Sequence, residues 1–309
     1  MECISTKLLL VKNPEVRKTL SVRHFRDVDP DEINWPQQLE ELNFHHDNYK
    51  PDLEKKVVFP DSLISLYLTS NCSLDLYVFP KSLKKLTVDG SFVCDFKKIV
   101  LPDGLTHLSL GYWFDKDLRG VNLPDSLTHL SLGDCFNREI KDLNLPDGLV
   151  YLRLGNMFNR EVNNAGLPDS LTYLNLGNRF NRDIRNANFP IGLKQLILGN
   201  NFNQSLKDAR LPELENLVLG DNFNQPLKDC KLPNTITNIS IGDNFNQPLK
   251  DCKLPESLTT LKVGYWFNQD LTNPNFPKSL NHLMIRGKQV PVPREKKFFY
   301  RILEYLGFL

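Results

Sequence analysis

The chain has 309 residues, 40% of them hydrophobic, and carries 38 Lys and Arg against 37 Asp and Glu, for a formal net charge of +1. That balance leaves no global field to hold nucleic acid or an anionic membrane surface, and no apolar run approaches the roughly 20 residues of a membrane-spanning helix. Six cysteines, Cys3, Cys72, Cys94, Cys135, Cys230 and Cys252, are too sparse for a disulfide scaffold.

Residues 1–34 read as an N-terminal cap. Their apolar run covers only Leu8 to Val11, too short for the core of a secretory signal, so a cytoplasmic protein is expected. From about Trp35 a proline recurs at Pro36, Pro60, Pro80, Pro102, Pro124, Pro146, Pro168, Pro190, Pro212, Pro233, Pro255 and Pro277, at spacings of 20 to 24 residues that are mostly 22. Such a period marks a solenoid, whose units are too small to fold alone and stack into one continuous core. Residues 35–288 are accordingly one β-rich solenoid of about 12 turns, and length is no guide to domain count.

The turn from Leu101 to Leu123 shows the design. Leu105, Leu108 and Leu110 alternate as in a short strand with one buried face, which turns His107 and Ser109 outward. Gly111 ends the strand where positive φ or close packing is required, and recurs as Gly133, Gly155, Gly177, Gly199, Gly220, Gly242 and Gly264. An inward aromatic follows, Phe114, Phe136, Phe158, Phe180, Phe202, Phe223, Phe245 and Phe267, predicting a phenylalanine spine. Behind it Asn137, Asn159, Asn181, Asn203, Asn224, Asn246 and Asn268 predict an internal ladder of amides bonded to backbone that no strand satisfies. A buried aliphatic comes four residues after each phenylalanine, as in Leu118, Ile140 and Val162. The next proline cannot donate to a ladder, and the return side has no room for an ordinary helix. An irregular or short-stranded return and a slender, weakly curved rod on the order of 50 Å long are expected.

The first units are degenerate, with His45, Thr69 and Asp89 in the glycine column. Cys230 and Cys252 share one repeat position and are expected to be reduced, buried small residues. After Pro293 the residues Phe298, Phe299, Ile302, Leu303 and Leu306 fall at helical spacing, so 289–309 is read as a C-terminal cap helix; docking of a partner is the alternative for that stripe.

The order Phe-Asn-x-x-aliphatic, then Leu-Pro or Phe-Pro, then Leu-x-x-Leu-x-Leu-Gly resembles the FNIP repeat family, leucine-rich-repeat relatives found chiefly in social amoebae and giant DNA viruses. FNREIKDLNLPDGLVYLRLG from Phe136 to Gly155 and FNQPLKDCKLPNTITNISIG from Phe223 to Gly242 carry the resemblance, with 7 intact Phe-Asn pairs over the chain. It implies a leucine-rich-repeat-like interaction scaffold, in the host cytoplasm if the source is viral. Several members carry an N-terminal F-box and look like substrate adaptors of ubiquitin ligases; the first 34 residues lack the Leu-Pro opening and the length of an F-box.

On the strand face the varied outward positions are where a regular scaffold binds. The densest patch of contact residues is His107, His129, Tyr151, Arg153, Tyr173 and Gln195. Gly-Tyr-Trp-Phe occurs twice and adds Trp113 and Trp266 as exposed aromatics. His107 and His129 lack a third ligand for a metal, and the two outward columns hold a single acid, Glu41, so neither a metal, a cofactor nor a carboxylate-pair enzyme is expected. Arg138, Arg160 and Arg182 run beside Glu139, Glu161 and Asp183 as a self-neutralised ridge. The reading is a non-enzymatic scaffold that binds a protein through the strand face around Tyr151 and Tyr173, with self-assembly through its ends or the Trp-bearing edge as the alternative.

Overall fold

The computed structural model describes residues 18–22, 33–46, 56–70, 74–90, 96–271 and 275–293. The chain divides into two compact units, residues 1–138 with 142–155 and residues 139–141 with 156–309. Both are parallel β-solenoids.

In the first unit the strands are β1 (Thr19–Val22), β2 (Glu41–His46), β3 (Val57–Val58), β4 (Ser65–Ser70), β5 (Tyr77–Val78), β6 (Lys85–Asp89), β7 (His107–Leu110), β8 (His129–Ser131) and β9 (Tyr151–Arg153). All but β3 and β5 form one parallel sheet in chain order, in which Leu42, Leu66, Leu86, Leu108, Leu130 and Leu152 pair turn to turn. β3 pairs with β5 on the return side. The second unit holds β10 (Tyr173–Asn175), β11 (Gln195–Ile197), β12 (Asn216–Leu219), β13 (Asn238–Ile241), β14 (Thr260–Val263), β15 (His282–Ile285) and β16 (Lys288–Val290). Its own aliphatic column pairs turn to turn through Leu174, Leu196, Leu217, Ile239, Leu261 and Leu283.

The recurring proline marks a corner. Its carbonyl accepts the N–H of the leucine three residues on, at 3.0 Å for Pro102 and Leu105 and 2.9 Å for Pro124 and Leu127. A hydroxyl just before that leucine donates to a carbonyl of the previous turn, as Ser82 does to Leu63 and Ser126 to Leu105, each at 2.7 Å, so the corners carry a hydroxyl ladder of their own. One corner is a residue short: Leu214 N–H closes on Pro212 at 2.7 Å, a three-residue turn, and Asn216 still pairs in register with Gln195 and Asn238.

The return side reverses through a second turn. Val121 N–H donates to Leu118 at 3.0 Å and Ala209 N–H to Leu206 at 3.1 Å, and the residue before each donor is left-handed, with φ of 75° at Gly120 and 64° at Asp208. Only glycine, or Asp and Asn with their short polar side chains, enter that region cheaply, which explains the Lys-Asp pairs of the sequence.

Inside, Phe114 and Phe136 stack at 6.2 Å in the first unit, with Phe96 edge-on to Phe114 at 5.4 Å. In the second unit Phe158, Phe180, Phe202, Phe223, Phe245 and Phe267 form an offset stack with centroids 6.0 to 6.2 Å apart. Before Phe96 the spine gives way to a cluster of Trp35, Phe44, Phe59 and Tyr77. The asparagine ladder is present with a defined polarity. Asn181 Oδ1 accepts the N–H of Asn203 at 2.9 Å, Asn203 that of Asn224 at 2.9 Å and Asn224 that of Asn246 at 2.9 Å, while Gln225 and Gln247 add side-chain donors at 3.1 Å. In the first unit Asp115 takes the place of asparagine and accepts from Asn137 N–H at 3.0 Å. The ladder was expected inside the coil, yet it lies along a half-exposed edge, because its acceptors serve loop backbone at the rim.

Both ends differ from expectation. Thr19–Val22, assigned to the N-terminal cap, already adds strand β1 in parallel to β2. Gln289 and Val290, assigned to the cap helix, belong to β16, which turns back antiparallel on β15. Arg286 and Gly287, with φ of 52° and 72°, make the two-residue left-handed turn that favours this hairpin. The helical stripe from Phe298 to Leu306 lies outside the described residues.

Candidate functional site on the strand face

In the first unit, strand register sets one outward ring above another. His107 on β7 pairs with His129 on β8, which pairs with Tyr151 on β9. The two imidazoles stack at 4.1 Å with 10° between planes, and His129 lies 5.6 Å from the Tyr151 ring. Thr106 and Thr128 fix the histidines. Their hydroxyls donate to the carbonyls of Lys84 and Thr106 at 3.0 and 3.1 Å, so each oxygen accepts from a histidine Nδ1–H at 2.9 Å and leaves Nε2 as the open acceptor. Beside Tyr151, Arg153 is held by an ion pair to Asp134 at 2.8 Å, both side chains about one-third exposed or less.

Burial, then the neighbouring His129 and Lys85, push the His107 pKa below its ordinary 6.5. A histidine depressed in the fold takes its proton more readily when unfolded, so its contribution is complete above pH 6.5 and is lost as pH falls through the folded value. Melting temperature is therefore expected to fall as pH drops from 6.5 toward the folded value, and His107→Gln to flatten that dependence. An identical pH profile in wild type and variant would contradict this.

In the second unit the outward positions hold Tyr173 and Gln195, both half-buried, followed by Asn216 and Asn238, whose amides bond at 2.8 Å. The Gly-Tyr-Trp-Phe segments sit beyond the strand ends. Trp113 is 63% exposed and edge-on to Tyr112, and Trp266 is 60% exposed, edge-on to Tyr265, over whose ring Arg286 lies at 5.6 Å. The structure thus stacks His107, His129 and Tyr151 and sets Arg153 beside them, while Trp113 and Trp266 stand apart at the edge. Sequence reasoning missed Asp134, which shares its column with Asp221 and Asp243 among Asn and Tyr, so nothing in the repeat sets it apart. Among the described residues no group of three or more His, Cys, Asp or Glu is placed to hold a metal ion, and no helix is long and apolar enough to cross a membrane.

The FNIP Repeat family model matches residues 71–112, 114–157, 158–201, 202–244 and 245–287. Among solved structures the chain is similar to the giant-virus protein CroV588, described as a novel circular LRR protein, with 33% identity and a TM-score of 0.68 over 84% of this chain and 41% of that one. This chain therefore spans less than half of CroV588. It also aligns with YopM from Yersinia enterocolitica at 17% identity and a TM-score of 0.30, over 87% of this chain and 78% of that one. No curated protein matches it. With its leucine-rich-repeat-like coil, phenylalanine stack and asparagine ladder matched by that model over most of its length, the chain belongs to the FNIP repeat family.

Proposed function

We propose that the protein is a non-enzymatic scaffold of the cytoplasm that binds a protein partner through its strand face. The observation that carries this reading is the ring column His107, His129 and Tyr151 with Arg153 alongside, preorganised by Thr106, Thr128 and Asp134. Rigid aromatic and arginine side chains lose little entropy on contact and dominate interface energetics. In a pull-down from the native cell, Tyr151→Ala with Arg153→Ala is expected to lose partners that wild type retains, a loss of about 2 kcal/mol or roughly 30-fold in affinity. Tyr173→Ala with Gln195→Ala tests the second unit's face separately. An unchanged set of partners in both variants would remove the site.

A second reading rests on the exposed pairs Tyr112 with Trp113 and Tyr265 with Trp266, which suit self-association at the edge. Light scattering that reports a strict monomer over a wide concentration range would dispose of it.

A further inference from the structure

The sheet of the first unit is wider at its start. β2 and β4 run for 6 residues and β6 for 5, against 4 in β7 and 3 in β8 and β9. The extra length adds one outward rung, His45, Thr69 and Asp89 in register, at the position that glycine takes from Gly111 onward. Outward residues alternate with buried ones along each strand, so this rung lies next to Asn43, Tyr67 and Thr87.

The Tyr67 hydroxyl donates to Asp89 Oδ2 at 3.1 Å, and on the other flank the His45 ring lies 6.0 Å from that of Tyr67, tilted by 50°. All three side chains are half-buried. Burial and then the bond to Asp89 raise the Tyr67 pKa above its ordinary 10.0, which keeps the hydroxyl a donor.

Asp89 is short of a counterion. A carboxylate drawn partly out of water calls for a cation or several donors, yet among the described residues it accepts from Tyr67 and makes no ion pair. The stacking explains the deficit. In register with Asp89 the preceding turn offers Thr69, and the following turn offers Gly111, where a Cβ would meet Asp89 Cα at 2.5 Å and Oδ1 at 2.6 Å, so no side chain fits there. Lys85 stands at the far end of β6, about 13 Å away along the strand.

A carboxylate bonded to the hydroxyl of a half-exposed ring suits a flat cation, which stacks on the ring while its N–H groups reach the oxygen. A guanidinium has that shape, whereas an ammonium is a hydrated point charge without a face to stack. We propose that Asp89 and Tyr67, with His45 backing the ring, form a subsite for an arginine side chain of the protein partner. The proposal rests on the strand-face reading above and supplies the chemistry of one anchor, in the turns just before His107.

The test is a chemical-shift titration of isotope-labelled full-length protein with Nα-acetyl-arginine amide. Saturable shifts at Tyr67 are expected, weakened about 10-fold or more in Asp89→Asn and unchanged in Asp117→Asn, which makes the same charge change at the Arg119 ion pair. The uncharged isostere Nα-acetyl-citrulline amide is expected to leave Tyr67 unshifted, and the lysine analogue to bind more weakly than arginine. No saturable shift at Tyr67, equal affinity in wild type and Asp89→Asn, or binding of the citrulline or lysine analogue as tight as that of arginine would overturn the proposal. Tyr151 and Arg153 are intact in these variants, so the result stands apart from the pull-down that tests the strand face.

Discussion

Gly155→Ala is expected to cost at least about 3 kcal/mol, while Gly148→Ala, seven residues earlier in the same turn, is expected to be near neutral or stabilising by up to about 1 kcal/mol. The contrast isolates sterics. A Cβ on Gly155 would overlap the Gly133 carbonyl of the preceding turn and press on Asp134 O at 3.0 Å, and these are backbone atoms that cannot rotate away. A Cβ on Gly148 meets nothing closer than Asp125 O at 3.6 Å, an ordinary contact. Neither glycine has positive φ, so conformational strain does not enter. Urea unfolding midpoints measure the difference, and equal midpoints would show that the turns can spread at the glycine column. Midpoints rather than extrapolated free energies are the safer comparison, since repeat arrays need not unfold in two states.

Phe223→Ala is expected to be the most damaging substitution in the second unit's core, at about 3–5 kcal/mol. The ring is fully buried between Phe202 at 6.0 Å and Phe245 at 6.1 Å, and the coil cannot collapse around the void without breaking the glycine approach on either side. Because coupling in a solenoid is between nearest neighbours, hydrogen-exchange protection should fall first in β12 and β13 and spread to the strands beside them. Uniform loss across the unit would instead indicate that it unfolds as one block. Phe223→Leu should recover much of the stability, as it returns most of the buried volume but not the ring stack.

What could be read from the sequence followed from translation. Leucine alternation fixed the strands and their register, and the recurrence of Phe-Asn located both spine and ladder, because in a stack any residue repeated every 22 positions meets its own copy. The hidden parts depend on backbone geometry or on departures from the repeat. Glycine at the strand end left open a choice between dihedral freedom and close approach, and the Gly133 carbonyl decides for approach at Gly155. The left-handed role of Asp208, Asp229 and Asp251 was hidden, because the return turn they close shows only once the backbone is placed. The return of β16 was written in Arg286-Gly287, a short turn signal outweighed by the helical spacing that follows it. At the candidate site the ring column was legible, but not its fixation by Thr106 and Thr128, whose hydroxyls look like ordinary surface positions until stacking sets a carbonyl beneath them.

The short corner at Pro212 has a consequence for how such a chain can change over generations. That corner is a residue shorter and the strands on both sides stay paired, so a coil can give up length after its proline. Strand and spine allow no such slip, since a shift of one residue would turn every leucine outward. Length can therefore vary by small steps at the corners and in the return segments, where the coils from Glu41 to Ser65 and from Ser65 to Lys85 differ in length behind identical corners, or by in-frame gain and loss of whole coils, each of which brings its own bonding partners. Recombination between near-identical segments would then produce longer or shorter folded relatives in a single event, and with each one a new arrangement of outward residues for selection to sort.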